Sequence, residues 1–187
     1  MKHIMFRDEF SFESFDDLLE SINETEDDIL LYLVSGGGCA VTGNLITNLI
    51  NTEDRIKKVI FMWECSSSAF RVLMNCDKPK ELMSVYSVLH LGTKTTDTRS
   101  LLKNGNHQKF FMSDIGKFNK DYIEWLKHIG VSKKIRKKIK QGKDIYLTQE
   151  QIEELIGIKA TKDYMSIGSG TDVTTIAPQG IETLRRK

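Results

Sequence analysis

Apolar positions along the chain fall into two rhythms, continuous runs of strand length and helical stripes, and the two alternate. Residues 29–34 (ILLYLV) are uninterruptedly apolar between an acidic stretch, 24–28, and Ser35-Gly36-Gly37-Gly38. This is the pattern of a strand buried on both faces of a sheet. A helix is predicted over 42–50, with Leu45, Ile46, Leu49 and Ile50 at helical spacing. The unit then repeats, with a strand over 58–63 and an apolar helix over 68–76. Two strand-turn-helix units in succession imply parallel strands joined by crossover helices, hence an α/β fold.

Around these units the pattern predicts a strand over 4–10 and an amphipathic helix over 13–22, on Phe15, Leu18, Leu19 and Ile22. One or two short strands come next over 82–91, ending at His90, and then a polar loop over 92–106. Helical spacing resumes from Ser113 to about Lys140, broken at Gly130. Thr148 and Gln151 form a capping pattern for a last helix that Gly157 closes. The expected organisation is one domain over 1–157 and a flexible Gly/Ser/Thr-rich tail over 158–187.

Composition narrows the function classes. The 187 residues carry 27 Lys and Arg against 26 Asp and Glu, so no global field recruits nucleic acid or a membrane surface. Three cysteines, Cys39, Cys65 and Cys76, lack C-x-x-C spacing, so neither a disulfide framework nor a zinc site is expected. The first residues lack a secretory pattern, and no apolar stretch reaches the roughly 20 residues of a membrane span. A cytoplasmic protein without metal or organic cofactor is the expectation.

Loops at the carboxyl ends of parallel strands are where such folds collect chemistry. In the first loop, Gly36, Gly37 and Gly38 allow backbone N–H groups to approach a developing negative charge. A bare tight turn is the plainer reading, and a phosphate loop is disfavoured because no G-K-[S/T] comes after it. The second loop, Glu64 to Ser68, opens a helix with three serines, each of which alone reads as a cap. His90 alone reads as a strand-end histidine, and Asp144 as a turn residue. The basic run 133–140 holds Ile135 and Ile139 at i,i+4 and reads as a helix with solvated lysines; a nucleic-acid site there is the weaker reading.

Taken in order, these pieces resemble the proteolytic subunit of Clp protease, of the ClpP/crotonase superfamily. LYLVSGGGCAVTGNLI resembles the family's apolar strand ending S-P-G-G, with Gly36 in place of proline. ECSSSAFRVLMNCD is similar to its G-x-A-A-S turn, with Glu64 in place of glycine and Ser66 and Ser67 in place of alanines. VYSVLH and GKDIYLTQEQIEELIG resemble the segments carrying its histidine and late aspartate.

The resemblance covers about residues 4–157. It implies a ClpP/crotonase-like repeated β-β-α superhelix with mostly parallel strands and a serine endopeptidase. Ser68 would be nucleophile, His90 general base and Asp144 the group orienting the histidine, with the N–H groups of Gly38 and Ala69 as oxyanion hole. Peptide or unfolded protein would bind as a strand beside Gly37 and Gly38. The partners implied are further copies in a homo-oligomeric ring and an unfoldase ATPase, although the arm after His90 lacks the glycine-rich pattern with which the family's rings dock. The alternatives are a catalytically silent assembly or binding subunit and an acyl-CoA enzyme of the related crotonase fold.

Overall fold

A computed structural model describes residues 1–92, 105–157 and 173–176, with 105–114 and 173–176 described as backbone only. The strands are β1 (Lys2–Arg7), β2 (Ile29–Ser35), β3 (Ile56–Cys65), β4 (Lys80–Leu89), β5 (Ile145–Leu147) and β6 (Val173–Ile176). The helices are α1 (Phe12–Asn23), α2 (Ala40–Thr52), α3 (Ser68–Asn75), α4 (Gly105–His128), α5 (Lys133–Lys140) and α6 (Gln149–Ile156). Six strands form one sheet in the order β5-β4-β3-β2-β1-β6, and β1–β2, β2–β3, β3–β4 and β1–β6 pair in parallel. Each crossover from β1 to β4 therefore moves one strand along the sheet.

Two compact units emerge, Met1–Val88 with Tyr146–Lys187, and Leu89–Ile145. The only boundary expected from the sequence fell at residue 157. In the first unit, alternation sends Ile4 and Phe6, Leu31 and Leu33, and Val59 and Phe61 to one face of the sheet, all fully buried. The helices contribute Leu18 and Ile22, Ile46 and Ile50, and Phe70 and Leu73 at i,i+3 or i,i+4, also fully buried. Each such side chain is worth about 1.5–3 kcal/mol of transfer free energy. The other face holds a second cluster of Tyr32, Val34, Ile60 and Met62, with Met5, Leu30 and Met83 against it. Burial on both faces is why 29–34 and 58–63 read as continuous apolar runs.

Several boundaries differ from the sequence pattern. β1 ends at Arg7, and Phe10 instead forms a single parallel bridge to Gly38. α1 starts on a capping box between Ser11 and Ser14, and Ser14 takes an inward position that the apolar spacing assigned to Phe15. β4 is one ten-residue strand, and α4 begins at Gly105, inside the stretch read as loop. Residues 93–104 of that loop lie outside the described residues. Within the stretch read as a tail, Val173–Ile176 is a strand paired along His3–Phe6, for which four residues of VTTI offered too short a pattern. The rest of 158–187 lies outside the described residues.

In the second unit α4 ends where Gly130 adopts φ 90°, as expected of the break there, and Ser132 caps α5 by accepting from the Ile135 N–H at 3.3 Å. Leu89, Tyr122, Ile123, Leu126, Val131 and Ile139 are buried among its described residues, and Ile135 is half-buried while the five α5 lysines are exposed. The solvated reading of the basic run fits this arrangement.

Candidate active site

The ladders that β3 makes with β2 and β4 are both interrupted. Trp63 and Ser84 both adopt left-handed backbone, φ 51° and 52°, and both strand pairings slip there: Leu33 to Ser35 on β2 spans Phe61 to Cys65 on β3. Likewise Met62 to Glu64 spans Met83 to Tyr86. A bulky residue in this region marks a bulge, which twists a strand and re-aims the residues beyond it.

Beyond the bulge on β3 lies the serine turn. The Ser66 N–H donates to Ser35 O (3.1 Å) and the Ser67 N–H to Val88 O (3.0 Å), while Ser66 Oγ accepts from the Val88 N–H (2.9 Å). Ser87 Oγ donates to Cys65 O. Ser67 itself sits at φ 53°, ψ −122°, the first central position of a II′ turn and one that favours glycine. Holding a serine there costs on the order of 1–3 kcal/mol. The strain reverses the chain so that Ser68 opens α3 as its first residue. The three hydroxyls are thus distinguished: Ser66 is buried and structural, Ser67 makes no side-chain cap, and Ser68 Oγ donates to Gly38 O at 3.1 Å.

The glycine loop fits against this turn through missing side chains. A Cβ on Gly37 (φ 102°) would lie 2.7 Å from Ser67 Cβ and 2.8 Å from Ser66 O, and one on Gly38 (φ 123°) 2.7 Å from Phe10 O. Ser35 Oγ accepts from the Gly37 N–H at 3.1 Å, and Phe10 clamps the loop, its N–H donating to Gly37 O (2.6 Å) and its carbonyl accepting from the Cys39 N–H (2.8 Å). The Gly38 N–H has no partner among the described residues. The Ala69 N–H, by contrast, donates to Ser66 O at 2.9 Å.

His90 and Asp144 belong to the second unit. His90 is half-buried, and its Nδ1 lies 2.8 Å from Leu91 O. A carbonyl can only accept, so Nδ1 carries the proton and Nε2 is left as the basic nitrogen. Asn119 holds Gly92, accepting from its N–H at 2.8 Å and donating to its carbonyl at 3.3 Å. Gly92 lies flat on Phe118, where a Cβ would fall 2.4 Å from the ring. Asp144 is exposed just before β5 and makes no hydrogen bond or ion pair among the described residues. The His90 proton therefore goes to a backbone carbonyl, and Ser68 Oγ is joined to Gly38.

Glu64, conspicuous beside the serines in sequence, pairs with Tyr86 across the strands. Partial burial and then the Glu64 carboxylate, which accepts from the phenol, push the Tyr86 pKa up. Asn119 was not singled out in the sequence, because an amide that grips backbone has no motif, and Ser35 entered only as the serine that opens the glycine loop. Among the described residues no cluster of His, Cys, Asp or Glu could hold a metal, and no helix is long and apolar enough to cross a membrane.

No family model matches this chain, and no curated protein matches it in sequence. A solved structure does: a ClpP1 point mutant from Listeria monocytogenes superposes with a TM-score of 0.60 at 16% identity, over 86% of this chain and 92% of that one. The fold is ClpP/crotonase-like. At this identity the likeness speaks for the architecture, and the chemistry rests on the side chains.

Proposed function

We propose that the protein is a serine endopeptidase in which Ser68 attacks a peptide carbonyl, His90 takes its proton and Asp144 supports the histidine. The observation that carries this reading is the Ser68 to Gly38 hydrogen bond. It places a hydroxyl at the start of a helix, behind a strained turn and against a glycine loop with an unused N–H. The shared fold with ClpP1 supports it. So does chain order: Val88, which exchanges hydrogen bonds with Ser66 and Ser67, precedes His90 by two residues.

The described arrangement is a resting one. Ser68 must give up Gly38 O for an imidazole nitrogen, and the Ala69 N–H must be shared with substrate to join the Gly38 N–H as oxyanion donor. Each oxyanion donor is worth about a hundred- to a thousandfold in rate. With Nδ1 held by Leu91 O, His90 already has the tautomer a general base needs, and Asp144 would take over that contact as imidazolium forms. Peptide would add as a strand beside Gly37 and Gly38, in a homo-oligomeric ring of this chain, and an unfoldase ATPase is the partner that would feed it.

A fluorophosphonate probe combined with peptide mapping tests the assignment. Ser68 should be labelled and Ser67 not, and Ser68→Ala should lower peptide hydrolysis on the order of 10⁴-fold or more. A folded protein in which Ser68 stays unlabelled and Ser68→Ala changes nothing is a silent subunit, and the reading falls.

A further inference from the structure

Glu64 is a carboxylate that the proposed reaction leaves without a task, and it stands where the G-x-A-A-S turn has glycine. It is the penultimate residue of β3, just beyond the left-handed Trp63, and is half-buried. Its oxygens lie 3.6 and 3.9 Å, and its carboxyl carbon 3.7 Å, from the point where a Cβ on Gly36 would stand. The carboxylate is therefore broadside to Gly36. These are ordinary van der Waals separations, so space alone does not demand glycine at this position. Gly36 is itself exposed, and its missing side chain leaves the carboxylate uncovered on that side.

Glu64 makes no ion pair among the described residues. Its partner across the β3–β4 pairing is Tyr86, a neutral residue, and Arg7, whose guanidinium lies 5.9 Å from the centre of the Trp63 ring, is not ion-paired to it. A half-buried carboxylate without a counter-ion attracts a cation more strongly than one in open water, because the local dielectric is lower.

Gly36 precedes Gly38, the proposed oxyanion donor, by two residues. A peptide added as a strand beside this loop, with its scissile carbonyl at the Gly38 N–H, sets opposite Gly36 the residue two positions from the one attacked. Side chains directly opposite each other share a face, with Cβ atoms about 5 Å apart. A long side chain at that position of the peptide thus reaches the Glu64 carboxylate.

We propose that Glu64 sets the specificity of the Ser68 site, selecting peptides with lysine or arginine two residues from the attacked carbonyl and rejecting those with an acidic residue there. The cationic side chain donates charge-assisted hydrogen bonds to the carboxylate, an acidic one places like charges together, and specificity is the difference between the two. The inference rests on the peptidase reading and deepens it by naming the substrate class.

The test gives the full chain a synthetic library of random peptides near neutral pH and low salt and reads every cut by mass spectrometry, while fluorophosphonate labelling reports on Ser68 separately. At one of the two positions that lie two residues from the attacked carbonyl, lysine and arginine should exceed aspartate and glutamate by about tenfold or more relative to the library. In Glu64→Gln that excess should shrink to about twofold or less, and in Glu64→Lys it should reverse. Circular dichroism checks that each variant is folded. Cleavage without the charge preference, in a protein whose Ser68 labels, overturns the inference and leaves the peptidase reading standing; so does a preference that persists unchanged in folded Glu64→Gln. A protein that neither labels nor cleaves sinks the peptidase reading and the inference with it.

Discussion

Ser67 carries strain for the benefit of its neighbour. Its φ of 53° is glycine's territory, so Ser67→Gly should stabilise the fold by about 1 kcal/mol. For a chain of this length that is a rise of about 2–4 °C in Tm, measurable by calorimetry. A fall in Tm would mean that the serine side chain gains more from its surroundings than the backbone loses. Gly37→Ala should do the reverse, since its Cβ meets Ser66 O and Ser67 Cβ at 2.8 and 2.7 Å. A second local device is Glu53. The Arg55 guanidinium grips both its oxygens at 2.9 Å and the Arg55 N–H adds a third bond, which lowers its pKa to about 2 from 4.5. The same Arg55 reaches the carbonyls of Ile22, in the last turn of α1, and of Thr25 just beyond it. Because the folded value is the lower one, the stability this pair confers is complete above about pH 4.5 and fades as pH falls toward about 2. Urea titrations should show that loss in the wild type and a flatter profile over the same window in Glu53→Gln.

Among elements, the segment just after His90 is held by a helix far along the chain. Asn119 bonds both backbone groups of Gly92, so Asn119→Ala leaves two polar groups unpaired. It should cost about 1–3 kcal/mol. If His90 is the general base, it should also lower kcat with little effect on KM; unchanged kcat at a lowered Tm would restrict Asn119 to a structural role. This level also separates what sequence could and could not disclose. β2, β3 and α1 to α3 were legible because burial imposes a period on side chains. The serine turn was legible as a location, since a buried strand running into Ser66, Ser67 and Ser68 has few other endings. The choice of Ser68 among them as the proposed nucleophile was carried by the family resemblance. The paired bulge at Trp63 and Ser84 was not legible, because left-handed backbone at a tryptophan opposes local preference and is imposed by the sheet. Nor was the Leu91 carbonyl that fixes the His90 tautomer, a backbone atom with no sequence trace.

Across the whole molecule, the order β5-β4-β3-β2-β1-β6 places the first strand of the chain beside one that begins at residue 173. Strands β1 to β4 can each pair with a neighbour close in sequence, and such pairings close short loops and form early. The outer edge of β1 waits for its partner. While the chain is being made or refolded, backbone groups of His3 to Phe6 face the surroundings along an unpaired parallel edge, and another copy can supply a strand there as readily as β6. A chain ending at Gly157 should therefore keep the serine turn and fold, yet associate through that edge in proportion to its concentration. Light scattering during refolding compares it with the full chain, and equal scattering would mean that β6 plays no part. Four residues near the end of the sequence thus act as a guard on its beginning, and the hazard is one of timing: it lasts from the moment β1 finds β2 until β6 arrives.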